Sequence, residues 1–222
     1  KHVPKGEVST YFHEEVKEGT IIHAREPQGH FILQHFAVSG HSTRNVAIES
    51  PVDDLVFVSA GIGITPVLAI LSDLAAKAES KLIMSKLPRV LWIYGARTPD
   101  DLPRMLHKEV VKLLERYRRV GGEAHQHTQF SKISSDKGDD SSSLESSHPS
   151  AEEDTVGFGR LVPTRLQKLL KDNRIENDDK IVHFYVCGPK GFMRMSSEGL
   201  EQYKNVLNET FGPSAAATEP DT

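Results

Sequence analysis

The sequence predicts an α/β protein: a doubly wound five-stranded parallel sheet in the order 3-2-1-4-5, preceded by part of an antiparallel β-barrel. Three observations carry that expectation. Beyond Pro51, compact apolar runs alternate with amphipathic stretches of helical length. Two junctions between them, Ala60-Gly61-Ile62-Gly63-Ile64-Thr65-Pro66 and Cys187-Gly188-Pro189, have the composition of sharp turns. Before Pro51 the pattern differs, with short alternating or β-branched runs at 20–24 and 31–36 separated by Pro27 and Gly29.

In the barrel segment, Tyr11, Phe12 and Val16 recur near helical spacing before Gly19, which predicts one small helix. The first strand of the α/β part, over 54–59, is the unbroken run Leu55-Val56-Phe57-Val58-Ser59, and a helix follows over 66–77. Strand 89–94 leads to helix 102–119, strand 123–130 to helix 162–171, and strand 180–186 to helix 191–203, with a last strand over 206–211. Strands alternating with helices require right-handed crossovers and a parallel sheet covered on both faces. The expected domains are therefore 1–50, the C-terminal part of a barrel, and 51–213, the α/β domain.

Residues 131–156 break the pattern. They hold nine Ser and seven acidic residues, with Ile133, Leu144, Ala151 and Val156 as their only apolar side chains, which predicts a disordered insertion. The tail 214–222 is expected to be disordered as well. Net charge is −4, but without the insertion 25 basic groups face 24 acidic ones, so no basic field would steer nucleic acid. No apolar run approaches the roughly 18 residues of a membrane span, so no membrane partner is expected. The single cysteine, Cys187, excludes an internal disulfide and a multi-thiolate metal or cluster site and suits a reducing, cytoplasmic compartment. The chain opens on Lys1 rather than Met, as a fragment or processed product would.

The chemistry concentrates at the junctions. Gly61 and Gly63 allow a tight turn and close approach of a ligand to the backbone. Thr65 suits a helix N-cap and Pro66 the first helical position. Free N–H groups and the helix dipole would then face the turn, as a pyrophosphate requires. The alternative is a glycine-rich turn with no ligand. In the order 3-2-1-4-5 the strands ending at Ser59 and Val186 are neighbours, and their two turns would flank the topological switch point where such sheets bind ligands.

Arg97, after Trp92-Ile93-Tyr94-Gly95-Ala96, could meet a ribose 2′-phosphate and so favour NADPH, or be a solvated loop arginine. Cys187 on its own reads as a small buried filler. His125 and His127 point to one strand face without a matching carboxylate and read as ordinary strand residues, and no metal site is expected. No Gly-x-Ser-x-Gly elbow and no Gly-Lys-Ser/Thr loop offers a start for hydrolase or NTPase chemistry.

Taken together, five ordered motifs resemble the ferredoxin-NADP reductase superfamily, most nearly the reductase module of flavohaemoglobins and similar modules joined to iron-sulfur or MOSC domains. They are Gly6-Glu7-Val8-Ser9-Thr10-Tyr11-Phe12-His13 with the segments to Phe31; the turn 61–66; Tyr94-Gly95-Ala96-Arg97; Cys187-Gly188-Pro189 with Gly191-Phe192-Met193; and Glu209-Thr210-Phe211-Gly212-Pro213. The likeness covers nearly the whole chain outside the insertion and tail.

The resemblance implies FAD and NAD(P)H as cofactors and a haem or iron-sulfur electron acceptor, on the same longer polypeptide. Val8 and Ser9 would approach the FAD pyrophosphate, and Glu209 and Phe211 the isoalloxazine, with Gly212 among the cofactor contacts. Gly61, Gly63, Thr65 and Pro66 would hold the NAD(P) pyrophosphate, while Cys187, Gly188 and Pro189 would lie at the nicotinamide. Cys187 and Glu209 are thus the residues expected nearest the chemistry. The family's upstream Arg-x-Tyr-Ser/Thr stretch is not in this sequence, which leaves a second expectation: a catalytically silent nucleotide-binding domain, or a truncated fragment, without FAD.

Overall fold

The computed structural model describes residues 5–24, 26, 31–33, 52–80, 86–132, 154–175 and 180–209. The chain divides into two compact units, Lys1–His30 and Phe31–Thr222.

In the first unit the described residues form one helix, α1 (Glu7–Glu14), and no strand. The barrel expected over 8–36 is therefore not seen among them. The helical spacing of Tyr11 and Phe12 prevails, Glu7 sits favourably in the first turn, and none of the eight residues is buried. Residues 20–24, expected as strand, have no regular structure, and those beyond Leu33 in the second expected strand lie outside the described residues.

The second unit is the doubly wound domain. Its strands are β1 (Asp54–Ala60), β2 (Arg89–Ala96), β3 (Ala124–Phe130), β4 (Asp154–Phe158), β5 (Val182–Cys187) and β6 (Val206–Glu209). They form one sheet in the order β4-β3-β2-β1-β5-β6, parallel throughout. The order expected from sequence is present as β3-β2-β1-β5-β6, but the sheet has six strands, not five.

The added strand, β4, starts inside the segment expected to be a disordered insertion. Composition concealed it, because β4 gains little from burial: Val156 and Phe158 stand exposed at the sheet edge. It is held by its ladder with β3 and by side chains. His127 Nδ1 lies 2.7 Å from the Thr155 hydroxyl, its Nε2 lies 3.1 Å from Gln129 Oε1, and Gln129 Nε2 donates to the Gly159 carbonyl at 2.6 Å. His127 is thus a hydrogen-bonded strand residue, as expected. His125 lies 3.0 Å from a carboxylate oxygen of Glu123.

Two helices cover each face. α2 (Ile64–Glu79) and α3 (Arg104–Arg119) bury Val67, Ile70, Leu74, Val110, Leu114 and Tyr117 in one core cluster with Leu55, Phe57, Trp92 and Tyr94 of the sheet. On the other face, α4 (Pro163–Asp172) and α5 (Lys190–Gly199) bury Leu166, Leu170 and Met193 with Val56, Val58, Ile93, Phe184 and Val186. Each strand alternates sides, so β1 and β2 read as continuous apolar runs because both faces are covered. The stretch Gly61–Glu79 is the one described helix that reaches the length and mean hydropathy of a bilayer span, as the core helix of a sheet domain also can. It packs on the sheet through Val67, Ile70, Leu71 and Leu74.

Candidate functional site

β1 and β5 lie side by side with Ser59 opposite Cys187, so both strands end at the same level and hand over to helices on opposite faces. After Ala60 the chain enters a single 3-10 turn, Gly61–Gly63, that runs directly into α2. Gly61 has φ +56°, in the left-handed region glycine favours. At Gly63 a Cβ would stand 2.0 Å from the Cys187 carbonyl oxygen and 3.1 Å from the Gly188 nitrogen. The two turns therefore touch, backbone against backbone. Pro189 closes the same corner, its Cγ 4.0 Å from where a Gly61 Cβ would be.

Thr65 does not cap the helix. It is the second residue of α2, and its hydroxyl donates back to the Ile62 carbonyl at 2.9 Å. The turn begins five residues earlier than that reading placed it, with extended Ala60 as its cap and no side-chain capping bond. Pro66 still falls in the first turn of α2, where a missing N–H costs nothing. The first N–H groups of a helix have no intrahelical acceptor, so those at Gly61–Gly63 are free to meet an anion.

Two aromatic residues from β2 brace this turn, and both went unassigned at the sequence level. The Tyr94 hydroxyl donates to the Gly61 carbonyl at 3.0 Å, and Trp92 Nε1 donates to the Ser59 hydroxyl at 3.0 Å. Burial pushes the Tyr94 phenol up to about 12, so it remains a donor throughout the neutral range. A third unassigned residue, Phe192 of α5, lies against Gly95 and Gly188. The sequence signal for it was the run of small residues at three strand ends, Ala60, Gly95 and Gly188.

Cys187 is fully buried, and burial, reinforced by the negative charge of Glu209, pushes its thiol up to about 11. It stays protonated at neutral pH and is no thiolate nucleophile. Glu209 is its register partner across β5 and β6. Arg97 is exposed just beyond the tip of β2, its carbonyl accepting from the Lys132 N–H at 2.8 Å. The fold thus gathers Gly61, Gly63, Cys187, Gly188 and Pro189 at one slot, with Thr65 and Pro66 on α2, Arg97 at the next strand tip and Glu209 beside Cys187.

Val8 and Ser9 belong to the other compact unit. They lie on α1 in the first unit, where Val8 is 71% exposed and the Ser9 hydroxyl donates to the Gly6 carbonyl at 3.1 Å. Phe211 and Gly212 fall outside the described residues.

A parallel doubly wound sheet with paired glycine turns at its switch point defines a nucleotide-binding α/β domain. Comparison with known proteins makes this specific. The family model of the oxidoreductase NAD-binding domain matches residues 57–198. A flavohemoprotein of Giardia intestinalis is 27% identical over 234 residues, covering 96% of this chain and 45% of that protein. The glycine betaine monooxygenase reductase subunit of Pseudomonas aeruginosa is 29% identical over 119 residues, 52% of this chain and 25% of that protein. The chain therefore spans less than half the length of these relatives. A ferredoxin NADP+ reductase from Neisseria gonorrhoeae, solved with bound FAD and NADP, shares the fold with a TM-score of 0.54 at 16% identity over 94% of this chain and 71% of that one. The chain belongs to the oxidoreductase NAD-binding domain family, within the ferredoxin-NADP reductase superfamily and beside the reductase modules of flavohaemoglobins.

Proposed function

We propose that this chain is the NAD(P)H-binding part of a flavin-dependent oxidoreductase module, which accepts reducing equivalents from NAD(P)H onto FAD and passes electrons to a haem or iron-sulfur partner. The observation that carries the reading is the contact of Gly63 with the Cys187 carbonyl, which makes one slot out of two turns. The residues present fit a dinucleotide: a side-chain-free cradle, a long helix aimed at it, and an exposed cation one strand over.

Within that slot, Gly61 and Gly63 hold the pyrophosphate through backbone N–H groups, in the 3-10 turn that leads into α2, with Thr65 and Pro66 in the first turn of that helix. Arg97 meets the 2′-phosphate of NADPH, with the backbone of a second cation, Lys132, bonded to it. Cys187, Gly188 and Pro189 shape the opposite wall at the nicotinamide through their turn, with the neutral Cys187 thiol buried within it. Glu209, one strand further, borders the flavin side. Bound together, the nicotinamide and flavin supply the hydride chemistry itself, and the chain supplies placement and exclusion of water.

Equilibrium titration of the chain with NADPH and NADH is the direct test, followed by anaerobic addition of NADPH to the natural full-length protein. Saturable binding and loss of flavin colour are expected; no binding of either nucleotide would refute the reading. A second reading, a nucleotide-binding domain without flavin, draws support from the lack of strands among the described residues before Phe31. A natural protein that binds NADPH yet purifies colourless and takes up no FAD would establish it.

A further inference from the structure

α2 and α5 leave neighbouring strands for opposite faces of the sheet, so the slot has two walls. One is the Gly61–Gly63 turn. The other is the start of α5, and its third residue is Phe192. The Phe192 ring lies across the tips of three strands. A Cβ at Gly95, on β2, would stand 3.1 Å from its Cε2, and a Cβ at Gly188, after β5, would stand 2.7 Å from its Cδ1. Between them those same two positions lie 3.6 and 3.4 Å from the Ala60 Cβ of β1. Gly95 and Gly188 thus form, beside the Ala60 methyl group, a shelf without side chains of their own, and one phenyl ring lies against it.

The ring is only half-buried, whereas Met193 and Ser196 of the same helix are buried. Part of it remains exposed, and the rest packs against the core cluster of the α4–α5 face. Ala60 and Gly95 are register partners, and Arg97 follows two residues after Gly95. A nucleotide with its pyrophosphate at Gly61–Gly63 and its 2′-phosphate at Arg97 has to cross the Gly95 tip, where the ring lies. The half that makes that crossing is the adenosine, since it alone carries the 2′-phosphate. The nicotinamide half turns the other way, toward Cys187.

We propose that Phe192 is the aromatic platform of the adenosine half, contributing coenzyme affinity by packing of its ring face and leaving the nicotinamide half untouched. This rests on the coenzyme reading above. Aromatic side chains offer sequence-tolerant, weakly polar faces on which a ribose or base packs at small entropic cost.

The test is calorimetric titration of the full chain and its variants Phe192→Leu and Phe192→Tyr with ADP-ribose, NADPH and nicotinamide mononucleotide, alongside thermal melting. Leucine keeps the bulk that covers the shelf and removes the ring. The expected result is about tenfold weaker binding of ADP-ribose and NADPH by Phe192→Leu, as for loss of one good aromatic contact, with mononucleotide binding and Tm unchanged and Phe192→Tyr like wild type. Wild-type affinity of Phe192→Leu for ADP-ribose overturns this inference alone. So does an equal weakening of both halves accompanied by a fall in Tm, which marks a structural wall. A wild-type chain that binds neither ADP-ribose nor NADPH overturns the coenzyme reading and this inference with it.

Discussion

Gly63→Ala adds a single methyl group at the point where the two turns meet. The new Cβ would stand 2.0 Å from the Cys187 carbonyl oxygen and 2.5 Å from the Cys187 carbonyl carbon, so the turns have to separate by more than 1 Å. Neither obstacle can rotate away, because both are backbone atoms at the end of a central strand. Overpacking of this kind costs about 1–3 kcal/mol, and a rigid obstacle favours the upper end. Alanine returns roughly 0.4–1 kcal/mol by restricting the unfolded chain, leaving a net loss of about 2 kcal/mol. At about 2–4 °C per kcal/mol for a domain of this size, Tm falls by about 4–8 °C. Displacement of the N–H groups at 61–63 lowers NADPH affinity by about tenfold or more. Urea melts and calorimetric titration measure the two effects, and Gly191→Ala, whose Cβ would meet nothing within 4 Å, is the stability control. A Gly63→Ala chain with wild-type stability and wild-type NADPH affinity would refute the touching turns.

Tyr94→Phe removes the hydrogen bond to the Gly61 carbonyl and should cost about 0.5–1.5 kcal/mol of stability and a few-fold in NADPH affinity, measured by the same two methods. Arg97→Ala should weaken NADPH much more than NADH; an unchanged ratio of the two dissociation constants removes Arg97 from coenzyme selection. Cys187 gives a pH prediction. Its folded pKa, about 11, lies above the ordinary value of 9.0, so the folded state holds the proton more tightly than the unfolded state. This contribution to stability is complete below pH 9 and is lost as the pH rises toward 11, a trend absent in Cys187→Ala. Alkylation with iodoacetamide at pH 8 should correspondingly be far slower in the native chain than in urea.

The site was legible where local chemistry and topology coincide. Gly61, Gly63 and the Cys187-Gly188-Pro189 turn have no sufficient reason to be small or bent within their own segments. Once the alternation of strands and helices fixed the sheet order, their convergence followed, and the Gly63 contact bears this out. Bracing residues are a different matter. Trp92 and Tyr94 sit in an apolar run, and their sequence says only that they are buried. That one polar atom of each reaches back to Ser59 and Gly61 depends on the parallel register of β1 with β2, a long-range fact that a local pattern does not hold.

The errors have a common physical origin. β4 was hidden because an edge strand needs only one ladder, and its side chains remain free to be as polar as a loop's. Val156 is apolar but exposed, so a composition count over 131–156 weighed it against nine serines and discarded it, and Phe158, the apolar end of the strand, fell beyond the window. Over 7–14 the helical spacing of Tyr11, Phe12 and Val16 was the sound signal and α1 follows it, whereas the β-branched run at 20–24, read as a barrel strand, has no regular structure. Thr65 fails for a third reason. A threonine followed by proline is a sound cap signal, yet the glycines before it let the backbone turn sooner, so the helix starts at the first position where the strand can end. In each case the backbone hydrogen-bond ladder, which every residue joins regardless of its side chain, determined the outcome. The same ladder sets Ser59 level with Cys187, which is why the glycine turns of two separate segments form one slot.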